Sequence, residues 1–186
     1  MFAVIGIGPD FAASDAGFAV EVEGLIKNSR KIVGIGEIGL DAKVAGKSPL
    51  AMQKEVFAKQ VQAAKSMEMP AVIHSRGMFE ETLKIIEDAR LKRVMFHFFE
   101  GDEKQAAALA KKGYFISIPP VQTSKRKRII KEVDLNSIVV ETDSPIVGKK
   151  PSDVVGVCET VARIKGTSLD DVAEKTTENI RRLFNI

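Results

Sequence analysis

The sequence predicts an α/β fold of six β-α units whose parallel strands converge on one rim, a (β/α) barrel of the TIM type that carries an extra C-terminal helix. Three observations carry this expectation. Six short apolar runs recur without the polar alternation of a half-exposed strand, so both faces of each strand are covered, as in a parallel sheet flanked by helices. The segments between them place apolar residues at helical spacing. Four of the runs end in or near a chemically active side chain, where a parallel barrel gathers its site. Strand count alone favours an open doubly wound sheet, because a closed eight-stranded barrel takes about 250 residues. The converging strand ends decide for the barrel.

The runs are FAVIGIG (2–8), KIVGIGE (31–37), AVIH (71–74), VMFHFF (94–99), YFISI (114–118) and SIVVETD (137–143). After the second, Ser48-Pro49 supplies a capping side chain and a proline at the first helical position. Leu50, Phe57, Val61 and Ala64 then form an apolar stripe, with Lys54, Glu55, Lys59 and Lys65 on the polar face. Phe79, Leu83 and Ile86 give a second stripe, Ala106, Leu109 and Ala110 a third, and Ile129, Ile130 and Val133 a fourth after Lys125. Two helices follow the last strand. The second opens on Ser168-Leu169-Asp170-Asp171, an acidic first turn with a side-chain cap, and closes on Ile180, Leu183 and Phe184. Residues 1–186 read as one domain without a linker, repeat or low-complexity tract.

Composition narrows the class. Hydrophobic residues at 45% and charged residues at 28% exclude a disordered tail, a collagen-like repeat or a coiled-coil rod. A net charge of +3 is too mild to argue for nucleic acid or an anionic membrane surface. Cys158 is the single cysteine, so no intrachain disulfide forms; it reads as a small core residue in a reducing, cytoplasmic setting. No apolar run approaches the roughly 18 residues of a membrane span, and the start lacks the features of a signal peptide.

The candidate site residues are Glu37, His74, His97 and Asp143, each at or near the C-terminal end of an expected strand. Singly, each has a structural reading: a strand-end histidine is commonly a hydrogen-bonded core residue, and Asp143 before Ser144-Pro145 could cap a loop. Together they are hard-to-borderline metal donors at one rim, and burying carboxylates there without a cation would be costly. Gly34-Ile35-Gly36-Glu37-Ile38-Gly39 matches the GxGxxG pattern, but no helix follows at once and Glu37 would put a carboxylate where a pyrophosphate should sit. Gly46-Lys47-Ser48 is no P-loop, since Asp41 stands at its first glycine and Pro49 lacks a needed N–H. Lys125-Arg126-Lys127-Arg128 reads first as a solvated helix face and second as the lining of a nucleic-acid groove.

The blocks GEIGLD (36–41), SPLAMQKEVFAKQ (48–60), PAVIHSRG (70–77), HFFEG (97–101) and ETDSP (141–145) resemble, in order and spacing, the TatD-type metal-dependent deoxyribonucleases, their archaeal members above all. The resemblance implies a barrel of the metallo-dependent hydrolase superfamily, two divalent ions (Mg, Mn or Zn) at the strand C-termini, and phosphodiester hydrolysis of DNA. It implies that Glu37 bridges the ions, that His74 and His97 serve one of them, and that Asp143 binds the other and orients or deprotonates the attacking water. Glu37 and Asp143 are thereby the catalytic candidates, and Arg76 the candidate contact to a substrate phosphate.

Departures from the family pattern set further expectations. The HxH pair of the family's first strand is absent, and Gly6-Ile7-Gly8-Pro9 stands where a third strand usually reads GIHP, so two β-α units are missing. One ion site keeps its ligands and the other is weakened. Sequence upstream of Met1, a homodimer partner covering the open barrel edge, or an open six-stranded fold without catalysis would each account for the gap. Glu100 replaces the usual serine after the aromatic pair. The competing functions are a metal-dependent hydrolase of small esters, amides or lactones and a non-catalytic metal-binding protein.

Overall fold

Each of the six apolar runs holds a parallel strand in the computed structural model, which describes residues 1–14 and 18–186. Two compact units divide these residues, Met1–His97 with Ile186 and Phe98–Asn185.

In the first unit, β1 (Ala3–Ile5), β2 (Ile32–Gly39), β3 (Ala71–His74) and β4 (Val94–Phe96) pair in chain order, every pair parallel. The crossovers carry α1 (Phe18–Asn28), α2 (Leu50–Ser66) and α3 (Phe79–Ala89). Ile35, Ile38, Phe57, Val61, Ile73, Ile86 and Phe96 are fully buried and form the core between strands and helices. α2 buries the expected Phe57, Val61 and Ala64 and exposes Lys54, Glu55, Lys59 and Lys65, but it also buries Gln53 and Gln60. These amides bind backbone. Gln60 accepts from the Ile7 N–H at 2.7 Å and donates to the Ile7 carbonyl at 2.9 Å, fixing the chain just past β1. Ser48 does not cap α2 as the sequence suggests: Pro49 takes the cap position with no side-chain bond, and Ser48 is fully buried with its carbonyl accepting from Gln53.

The second unit contains α4 (Glu103–Lys111), β5 (Phe115–Ile118), α5 (Ser124–Glu132), β6 (Ile138–Val140), α6 (Val154–Lys165) and α7 (Leu169–Phe184). β5 and β6 pair in parallel, Ile116 opposite Ile138. Leu109, Ile116, Ile129, Ile130, Ile138, Val161, Val172 and Leu183 are fully buried around them. Local sequence sets the helix starts. Asp102 with Gln105 and Ser168 with Asp171 form capping boxes, and Thr123 caps α5 through the Arg126 N–H. The buried Asn179 of α7 donates to the carbonyls of Leu135 and Ile138, tying the last helix to the entry of β6. One expectation changes here: Lys125, Lys127 and Arg128 are solvated, but Arg126 is buried, its guanidinium donating to the Phe99 carbonyl and lying over the Phe98 ring. Cys158 is buried, as expected of a core residue. Among the described residues, no helix is long and apolar enough to cross a membrane.

Candidate metal centre

Glu37 owes its position to an irregularity in β2. The ladder advances from Ile35 to Ile38 on β2 while advancing only from Ala71 to Ile73 on β3, so the Gly36–Glu37 segment carries one extra residue. Close packing requires glycine on either side of it. A Cβ on Gly36 would lie 2.6 Å from that of Val72, and one on Gly39, where φ is +148°, would overlap the His74 carbonyl oxygen. The glycines of the GxGxxG-like run therefore admit β3. The strand continues to Gly39, so Glu37 sits within β2 and not at its end as the sequence suggests.

Glu37 is the one exposed residue inside β2, its side chain 44% accessible, and its Oε1 lies 3.3 Å from Nε2 of His97. His97 follows β4 directly, and its N–H donates to the Ile73 carbonyl at 2.9 Å. A carboxylate and an imidazole so spaced fit a divalent ion, because two donors each about 2.1 Å from a common centre are themselves roughly 3.0–3.4 Å apart. The donor chemistry suits hard-to-borderline cations.

Beyond β2 the chain keeps pairing with the exit of β3: Leu40 N–H donates to the His74 carbonyl and Ala42 N–H to that of Arg76. That places Asp41 against both side chains. Its Oδ2 accepts from Nε2 of His74 at 2.9 Å and from Nε and Nη2 of Arg76 at 2.8 and 2.6 Å. Oδ1 accepts from the Lys43 N–H, and the main chain of Asp41 exchanges hydrogen bonds with the buried Gln53 amide. Burial works to raise the Asp41 pKa, but Arg76, the Lys43 amide and His74 together hold it below the ordinary carboxylate value. The Asp41 carboxylate thus engages Nε2 of His74 and orients its ring. The two histidines thus engage different carboxylates, and Arg76 is committed in part to Asp41.

In the second unit, Asp143 lies three residues past β6 with φ at +50°, a left-handed conformation that Asp tolerates better than most residues. The turn around it is closed by its own backbone. Val147 N–H donates to the Asp143 carbonyl and Gly148 N–H to that of Thr142, and a Cβ on Gly148 would lie 2.8 Å from the Thr142 oxygen. Glu141 accepts the Phe98 N–H at 2.8 Å. Glu100 is exposed.

Sequence reasoning missed Asp41, Gln53 and Gln60, although all three lie in the quoted blocks. The available signal was polar residues on an otherwise apolar helix face and an acid just past a strand end.

A family profile described as TatD related DNase matches residues 1–185. The Homo sapiens protein named Deoxyribonuclease TATDN3 is 33% identical over 172 residues, a match covering 86% of this chain and 63% of that protein. The Methanocaldococcus jannaschii protein named uncharacterized metal-dependent hydrolase MJ1582 is 31% identical, the match covering 99% of this chain and 76% of its own length. Among solved structures, YJJV, a TatD homolog from Escherichia coli K12, superposes with a TM-score of 0.91 at 23% identity, over 100% of this chain and 77% of that one. That likeness shows the fold, an incomplete (β/α) barrel. This chain spans about six tenths of the length of its human relative.

Proposed function

This chain belongs to the TatD-related DNase family, and from that premise we propose that it is a divalent-metal-dependent hydrolase cleaving phosphodiester bonds of DNA. The observation that carries the reading is the contact of Glu37 with His97, two metal-donor types brought together by a bulge and a strand exit. The proposed donor set adds the carboxylate of Asp143 from the turn after β6, giving a carboxylate, imidazole and carboxylate combination suited to a divalent cation. His74 is the further proposed donor, its Nε2 being engaged by Asp41.

The chemistry a divalent ion supplies in such a set is a lowered water pKa and stabilisation of charge on the attacking and leaving oxygens. Asp143 receives the proton of the attacking water on a carboxylate oxygen and orients that water. Asp41 keeps the His74 ring in one tautomer and one orientation. Arg76, with 37% of its side chain accessible, sets a positive charge beside His74 that draws in a substrate phosphate. A cytoplasmic setting suits a chain whose one cysteine is free and buried.

The test is hydrolysis of single-stranded DNA by the purified chain, with generic ester substrates assayed in parallel. Magnesium or manganese should restore activity removed by a chelator, and Glu37→Gln and Asp143→Asn should each abolish it. Turnover surviving both substitutions would refute the reading. Esterase turnover without DNA cleavage would move the substrate to small esters, and one ion bound without any hydrolysis would make the protein a metal binder.

A further inference from the structure

We propose that Glu141 is a positioning residue for His97, holding the main chain at Phe98 so that the preceding imidazole keeps its ligating orientation; the idea rests on the metal-centre reading above. Glu141 stands two residues before Asp143 in the ETD run, yet its Oε1 is engaged by backbone: it accepts the Phe98 N–H at 2.8 Å. Its own N–H donates to the Ile118 carbonyl at 3.1 Å, extending the β5–β6 pairing, so the carboxylate projects from a fixed strand end.

The segment it grips requires an outside hold. Phe98 has φ at +44°, a region that bulky non-glycine residues rarely occupy unless the surroundings determine it. Three anchors within the second unit supply that determination. Arg126, 7% exposed, donates from Nη1 to the Phe99 carbonyl and stacks its guanidinium 5.6 Å from the centre of the Phe98 ring. Phe99 is fully buried, and a Cβ on Gly101 would overlap its ring, so the chain must turn there without a side chain. Glu141 is the third anchor. Glu141 and Glu100 also offset the effect of burial on the Arg126 charge. In the first unit, the His97 N–H is held by the Ile73 carbonyl. Residues that orient a ligand in this way commonly change metal affinity by about 10–100-fold when removed.

The experiment compares the full chain with Glu141→Ala and Glu141→Gln, the second retaining an Oε1 acceptor. Two readouts are used: Mn²⁺ affinity by electron paramagnetic resonance titration, and amide hydrogen exchange at Phe98 in the metal-free protein. Glu141→Ala should lose Phe98 protection and bind Mn²⁺ about 10–100-fold more weakly, with exchange at Ile116 and Ile138 unchanged. Glu141→Gln should stay within about threefold of wild type in both, well inside that range. If Glu141→Ala does not fold, Glu141→Asp replaces it, keeping the charge on a stem one methylene shorter, and should show the same weakening. Mn²⁺ binding at wild-type strength in the Ala or Asp variant overturns the proposal while leaving the metal centre intact, and so does a Gln variant as weak as Ala. A wild-type chain that binds no Mn²⁺ overturns the metal reading itself and the proposal with it.

Discussion

Nε2 of His74 and Oδ2 of Asp41 lie 2.9 Å apart, and the Asp41 side chain is only 3% exposed, so a carboxylate from the exit of β2 fixes the orientation of a histidine at the end of β3. Removing the carboxylate frees the ring to rotate and to change tautomer. Asp41→Ala should therefore weaken Mn²⁺ binding and DNA hydrolysis by about 10–100-fold, with Asp41→Asn between it and wild type. Titration calorimetry on the purified variants checks this, and full affinity in Asp41→Ala would separate His74 from the metal.

Gly39 has no room for a side chain. With φ at +148° and the His74 carbonyl oxygen where a Cβ would have to sit, Gly39→Ala should lower stability by about 2–4 kcal/mol. Gly24 in α1 has nothing within 4 Å of such an atom, so Gly24→Ala should instead gain about 0.5–1 kcal/mol. Urea denaturation of the pair reads both signs, and equal midpoints would contradict the packing argument.

Gln60 satisfies both backbone groups of Ile7 from a buried helix face. Gln60→Leu preserves the volume and leaves those groups unpaired, at a cost of about 1–3 kcal/mol. Thermal unfolding of Gln60→Leu should show the loss; a midpoint at or above that of the parent chain would mean the amide is dispensable.

Cys158 is buried, and burial pushes its thiol pKa upward, with Glu159 adding to the effect. The thiolate is the reactive form, so the native chain at neutral pH should react with a disulfide reagent on the order of 100-fold more slowly than the unfolded chain. A colourimetric thiol assay with and without denaturant measures the ratio.

β3, β4 and β5 were legible because burial on both faces leaves unbroken apolar runs, although β1 has the same kind of run without being buried, and the start of α7 was legible because capping chemistry at Ser168 and Asp171 is local. Glu37 and His97 were legible as polar residues at or near strand ends, and the structure sets the two side chains in contact. Asp41 was not: nothing in one sequence says that β2 continues to pair beyond Glu37, and only that continuation sets Asp41 beside His74 and Arg76. Arg126 escaped for a related reason. A run of four basic residues looks uniformly solvated, whereas helical geometry turns one of every few inward, and Phe98 and Phe99 supply a ring and a carbonyl to receive it.

The extra residue in β2 also makes Gly36, Glu37 and Val72 a unit of inheritance. In a chimera, a crossover between residues 35 and 38 that restored an even register would keep the apolar lettering of the strand while turning its acid away. A graft whose junctions fall before Ile35 and after His74 carries the aim of that side chain intact into a foreign scaffold.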